Sequence, residues 1–244
     1  KKLTKLDIPV IHTIHDLHPH AGAVYGRLLY MWNKRVTITA EHLLVHGQRY
    51  YEELLEKGVH PAQTTWAPLT HLFMSFEQEQ ELRKSPPRCR YEPWGLFLGR
   101  LEVYKGLEVL VEAARQLNGS TGQPIDVVIA GQGNLSRLVP KRLPSTVDCR
   151  NRFILDQEAF DLFSHCGLVV LPYIEASQSA LVASAYFFRK PVIVTDAGAL
   201  PEYVRHQETG WVVKANDAQA LANTLRAALS SPTKLEQMGQ AGKS

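Results

Sequence analysis

Residues Gly167–Glu202, GLVVLPYIEASQSALVASAYFFRKPVIVTDAGALPE, decide the fold. Leu168–Leu171 is an unbroken apolar run, the pattern of a strand buried on both faces of a parallel sheet. Pro172 lacks a backbone donor and ends it. A polar loop, Tyr173–Ser179, leads into Ala180–Phe188, a helix-like segment with no charge before Arg189. Pro191–Val194 repeats the strand pattern, and Asp196–Gly198 is a turn. Strand, loop, helix and strand in this order make a right-handed βαβ unit. Ligands of such sheets sit at the carboxyl ends of strands, where helix starts offer free N–H groups. The loop Glu175–Ser179 holds that place, so an anionic ligand is expected there.

The alternation continues outward. Ile8–Ile14, His42–His46 and Thr64–Ala67 are predicted strands. Val24–Ala40 is a predicted helix with Leu28, Leu29, Met31 and Trp32 on its apolar side. A second helix, Arg49–Lys57, turns Tyr50, Leu54 and Leu55 inward. Charged Glu77–Lys84 and turn-rich Ser85–Pro93 then mark a boundary. Residues 1–84 are expected to form one partial domain, 85–93 a linker and 94–244 a second domain. Within the second, strands are predicted at Trp94–Leu98, Asp126–Ala130, Arg152–Leu155 and Thr209–Val213. Helices are predicted at Lys105–Leu117, from Asn134, at Gln157–His165, at Ala218–Leu229 behind the cap Asp217, and from Pro232.

The composition, 45% hydrophobic and 21% charged over 244 residues, suits one large or two small globular domains. A net charge of +3 is too small to argue for nucleic acid, and none is expected as a partner. Basic residues cluster at Lys1–Lys5, Arg83–Arg90 and Arg137–Arg152. Such clusters are solvated surface, or contacts to anionic lipid or a diphosphate. Cys89, Cys149 and Cys166 are expected as reduced thiols, which with the absence of a transmembrane-length run points to a cytoplasmic, at most membrane-associated, protein. Cys166 is expected to be packed and inert. His12, His15, His18 and His20 lack metal-ligand spacing, so no metal is expected. The chain begins without Met, which points to a fragment or a processed chain.

GRLEVYKG at 99–106 ends a strand and opens a helix. Its glycine lets a ligand approach backbone, Arg100 can fork onto phosphate oxygens and Lys105 adds a point charge; a surface turn with two solvated cations is the other reading. AGQG at 130–133, VLP at 170–172, KPVIVTD at 190–196, GALPE at 198–202 and TGWVV at 209–213 follow in order. This ordered set resembles the donor-binding half of retaining GT-B glycosyltransferases of family 4, the group 1 transferases, over residues 94–238. Residues 8–76 resemble, less closely, the second half of that family's acceptor domain. The resemblance implies an α/β, GT-B-like fold of two Rossmann-like parallel-sheet domains, the first incomplete. It implies transfer of a sugar, with retention, from a nucleotide diphosphate sugar (UDP- or GDP-linked) to a glycan or lipid-linked acceptor, with possible peripheral membrane contact and no cofactor.

Implied roles follow where residues match. Arg100 and Lys105 match the family's diphosphate-binding pair, with the helix start at Ser179 and Ala180 beside them. His15 matches a histidine that reaches the transferred sugar. Gly99, Gly131, Gln178 and Ser184 fall at donor sugar or nucleoside positions. The family also carries two glutamates seven residues apart; the second falls on Ser184, and the first on Ala176, with Glu175 one residue away as the catalytic substitute. The resemblance is then consistent with charge stabilisation on the leaving phosphate and same-face attack, with no metal. Double displacement would need a carboxylate at the anomeric carbon, and only Glu175 and Asp16 are candidates. The alternative is a non-catalytic nucleotide-sugar-binding half of a split or degenerate transferase, suggested by Ser184 and by the partial first domain.

Overall fold

The computed structural model of the protein describes residues 8–18, 25–71, 89–118, 125–139 and 142–243. Lys1, Lys2, Lys5, His20, the charged run Glu77–Lys84 and linker positions 85–88 lie outside the described residues.

Two parallel sheets are formed. The first has the order β1 (Ile11–Ile14), β2 (His42–Val45), β3 (Thr64–Trp66), linked by α1 (Gly26–Thr39) and α2 (Gln48–Glu56). The second has six strands: β4 (Trp94–Leu98), β5 (Asp126–Ala130), β6 (Val147–Arg150), β7 (Leu168–Leu171), β8 (Val192–Thr195) and β9 (Gly210–Val213). Its order is β6-β5-β4-β7-β8-β9, and every pairing is parallel. The crossovers carry α3 (Leu107–Asn118), α4 (Leu135–Leu138), α5 (Asp156–His165) and α6 (Ala180–Phe187), and the last strand is followed by α7 (Ala218–Leu229) and α8 (Pro232–Lys243). The chain steps outward from β4 to β6, then returns to the other side of β4 with β7. That reversal opens a crevice beyond the carboxyl ends of β4 and β7, the place where doubly wound sheets bind ligands.

The sheet cores explain the strands. All four residues of β7 and of β8 are buried, which is why their sequences are unbroken apolar runs. Phe163 of α5 stacks on Phe188 with centroids 5.1 Å apart, and Phe160 meets the same ring edge-on. Asp217 caps α7, its carboxylate accepting from Ala220 N at 2.8 Å. Cys166 is buried in this core, and burial pushes its thiol up to about 12, as an inert packed thiol requires.

One corner joins distant parts of the chain. Lys190 is fully buried at the end of α6; its Nζ donates to the carbonyls of Arg90 and Ser164 and lies 4.3 Å over the Tyr91 ring. Tyr91 Oη donates to the Arg189 carbonyl at 2.9 Å. α8 arrives at the same corner: a Cβ on Gly239 would stand 1.8 Å from that Arg189 oxygen.

Two expectations are corrected. The strand placed at Arg152–Leu155 is at Val147–Arg150 instead, paired with β5 as Cys149 with Ile129. Phe153 and Leu155, which made the later segment look strand-like, are exposed. In α1, Leu28, Met31 and Trp32 are exposed, and Asn33 and Val36 face the sheet. Asn33 Nδ2 donates to the Asp16 carbonyl at 2.6 Å, so a polar side chain fixes the helix by capturing the loop after β1. Among the described residues no helix is long and apolar enough to cross a membrane.

Because Phe163 is buried within this aromatic cluster, Phe163→Ala should cost about 3–5 kcal/mol through lost contacts and a residual cavity. Urea unfolding of parent and variant measures it.

Candidate active site

The crevice beyond β4 and β7 is lined by interlocked loops. Gly99 N donates to the Ala130 carbonyl, Leu101 N to that of Gln132 and Gly131 N to that of Arg150. Asn151 Oδ1 accepts from Gly133 N at 3.0 Å, so a side chain after β6 holds the glycine loop. The loop after β7 is tied to the other side, since Ile174 N and Glu175 N both donate to the Tyr104 carbonyl, at 2.7 and 3.3 Å.

Lys105 sits at the centre. It closes a short 3-10 turn, Val103–Lys105, and its side chain is only 8% exposed. Its Nζ lies 5.3 Å from the Tyr173 ring centroid, 5.8 Å from that of Tyr104 and 3.0 Å from where a Cβ on Gly99 would stand. The two rings meet edge to face at 6.1 Å. The ammonium thus rests against aromatic faces, and among the described residues no hydrogen bond or ion pair holds it. Burial pulls its pKa down to about 8, against the attraction of Glu102. Tyr173 is itself buried, its hydroxyl 3.4 Å from Ser179 Oγ, and burial pushes it up to about 12. Ser179 caps α6, its Oγ accepting from Leu181 N at 3.4 Å. The buried cation, a capped helix start and two glycine turns therefore converge on one crevice, chemistry suited to an anion.

Residues 78–244 match the family model described as glycosyl transferases group 1. The chain belongs to that family. It is 24% identical to an alpha-D-kanosaminyltransferase of Streptomyces kanamyceticus, over 96% of this chain and 65% of that protein. Among solved structures it is similar to a sucrose-phosphate synthase of Thermosynechococcus elongatus, with a TM-score of 0.74 and 23% identity, over 96% of this chain and 61% of that one. It is also similar to the HepE protein of Anabaena in complex with UDP-glucose, with a TM-score of 0.73 and 18% identity, over 99% of this chain and 68% of that one. The chain thus spans about two thirds of each of these relatives. The α/β fold with parallel sheets expected of a group 1 transferase is the fold observed.

The structure brings Gly99, Lys105, Gly131 and Ser179 together around the crevice, with Ala180 opening α6. Arg100 stands outside it: the side chain is 78% exposed and pairs with Glu102 at 3.2 Å. Gln178 is half-buried and Glu175 exposed. Ser184 departs from its expected place. It is 0% exposed and its Oγ donates to the Ala180 carbonyl at 2.9 Å, so it faces the packed side of α6 and has no open surface for a nucleoside. His15 is exposed, on the first sheet, with its ring 5.3 Å from that of His46. His46 Nδ1 donates to the Ala67 carbonyl at 2.9 Å. Sequence reading missed His46, Tyr104, Tyr173 and Asn151. Tyr104 lay inside the quoted motif at 99–106 and Tyr173 just after the one ending at Pro172, and aromatic residues beside a buried lysine are the signal that would have found them.

A buried ammonium whose desolvation outweighs the attraction of Glu102 destabilises the fold. The unfolded lysine titrates near its ordinary value of about 10.4, well above the folded one. The cost is therefore complete below about 8 and disappears as the pH rises toward the unfolded value. Lys105→Met should raise stability at neutral pH by about 1–3 kcal/mol. That gain should shrink toward zero in alkali, and melting curves of both proteins across this range check it.

Proposed function

We propose that the chain carries the donor site of a retaining glycosyltransferase that moves a sugar from a nucleotide diphosphate sugar to a glycan or lipid-linked acceptor. The observation that carries this reading is Lys105, a buried cation in the switch-point crevice that no hydrogen bond or ion pair holds among the described residues. UDP is favoured over GDP as the nucleotide because a structural relative, HepE, is seen with UDP-glucose.

The chemistry needs charge complementarity. As the bond between the anomeric carbon and the diphosphate oxygen breaks, negative charge grows on the leaving group. Lys105 and the N-terminal turn of α6 stabilise it in a poorly solvated setting, where such interactions are strong. Arg100 exchanges its exposed pairing with Glu102 for the phosphate. The acceptor hydroxyl then attacks from the face the leaving group vacates, and its proton passes to the departing phosphate. No step asks for a metal ion. On this reading Glu175, which is exposed on the loop, meets the donor sugar and is not a buried nucleophile.

A second reading, a donor-binding half without turnover, draws on Ser184: the family's second glutamate is absent and the side chain there is packed. Turnover with a panel of UDP-, GDP- and ADP-sugars separates the two. Transfer or donor hydrolysis supports the enzyme; nucleotide binding with no turnover supports the second reading.

Affinity for UDP should be far more sensitive to Lys105 than to Arg100. Lys105→Met should weaken it by about 2–4 kcal/mol, as removal of one partner of a desolvated charge pair does. Arg100→Ala should cost about 1 kcal/mol, because its charge stays near water. Calorimetry measures both, and the reverse ranking would move the phosphate site away from Lys105.

A further inference from the structure

GALPE at 198–202 is left without a role by the donor site. In the structure its last residue reaches across to the first sheet. The Glu202 carboxylate accepts from the backbone N–H of Gln48 at 2.6 Å and of Arg49 at 3.0 Å. Those are the first residues of α2, whose own N-cap, Gly47, has no side chain to offer. A carboxylate at a helix start satisfies orphan donors and matches the positive end of the helix dipole. Three further contacts flank it. Tyr203 Oη donates to the His46 carbonyl, Arg49 Nη1 to that of Gly198 at 2.8 Å, and Tyr50 Oη to that of Ala176 at 3.1 Å. Ala199 is fully buried in the core of the first sheet, beside Val45 and Leu54. The approach is so close that a Cβ on Gly47 would stand 2.7 Å from that of Ala199.

This seam holds a neighbour of each candidate catalytic residue. His46, held by Tyr203, carries the ring against which His15 rests. Ala176, held by Tyr50, is the neighbour of Glu175. We infer that Glu202 and Tyr203 are positioning residues that clamp the start of α2 and thereby set His15 and the Glu175 loop against the donor site. The inference rests on the transferase reading of that site. The clamp itself is a contact between two sheets and has its own readout.

The test uses three seam variants, Glu202→Ala, Glu202→Gln, and Gly47→Ala, which wedges the seam and keeps every charge, together with His15→Ala as a background for Glu202→Ala. Three quantities are measured: hydrogen exchange of the peptide spanning residues 46–50, UDP affinity by calorimetry, and kcat and KM for UDP-glucose turnover. Glu202→Ala and Gly47→Ala should each speed exchange at 46–50 and lower kcat on the order of tenfold to a hundredfold, the scale of small misplacements. UDP affinity should change less than about threefold, since Lys105 and the start of α6 take no part in the seam. Glu202→Gln, which keeps an acceptor oxygen, should recover part of kcat. In a His15→Ala background Glu202→Ala should lower kcat much less than it does alone, because the two act through one route. Faster exchange with kcat per folded molecule unchanged overturns the positioning role, as does a full, additive loss in the His15→Ala background. Unchanged exchange overturns the clamp. A parent protein that binds UDP but turns over none of the sugar donors overturns the transferase reading, and the exchange result then still judges the clamp alone.

Discussion

The ammonium of Lys105 is kept out of water without an ion pair, and the surrounding architecture is organised to hold it there. Burial of an unpaired cation is unfavourable, so something must prevent the side chain from swinging out. The 3-10 turn fixes its backbone, the rings of Tyr104 and Tyr173 line its path, and the loop after β7 is bonded to the Tyr104 carbonyl. The restraints come from two crossovers of the six-stranded sheet, β4 to β5 and β7 to β8. The sheet order supplies the meeting point, because the strand order reverses between β4 and β7, and doubly wound sheets leave their crevice at such a reversal. A ligand anion there meets a charge whose desolvation has already been imposed by folding, which is the meaning of preorganisation in this site.

Much of the second sheet was legible in the sequence. β4, β5, β7 and α7 fall where apolar runs and the Asp217 cap place them, because strands buried on both faces leave an unmistakable signal. The edge strand β6 did not, since Asp148 and Arg150 alternate outward and the stronger apolar signal of Phe153 to Leu155 lies just beyond it. The inward face of α1 was misread for a related reason. Its large apolar residues Leu28, Met31 and Trp32 point outward, and the residue that docks it is Asn33, whose partner is a carbonyl seventeen positions away. Periodicity cannot see a bond of that kind.

The candidate site was legible to a similar depth. Lys105 and the glycine turns were visible as motifs, and their convergence follows from the topology. The packing of Ser184 was not visible, because a serine whose hydroxyl returns to its own helix and one that faces a ligand have the same spacing in sequence. His46 was hidden by its place at the end of an ordinary strand. Its environment is defined by Tyr203, more than a hundred and fifty residues later, and by a neighbouring strand end at Ala67.

The corner built on Lys190 has a consequence for how this unit could be used by other chains. The segment that leads into the six-stranded sheet is fastened there through Arg90 and Tyr91, and the final helix packs on the same spot through Gly239. Entry and exit are thus side by side, on the same few atoms of the α6–β8 junction. A folding unit with adjacent ends behaves as a cassette: it can be carried whole into a different architecture without rethreading its interior. The buried lysine is the clasp of that cassette, closing the loop of chain on itself far from the crevice where the ligand is met.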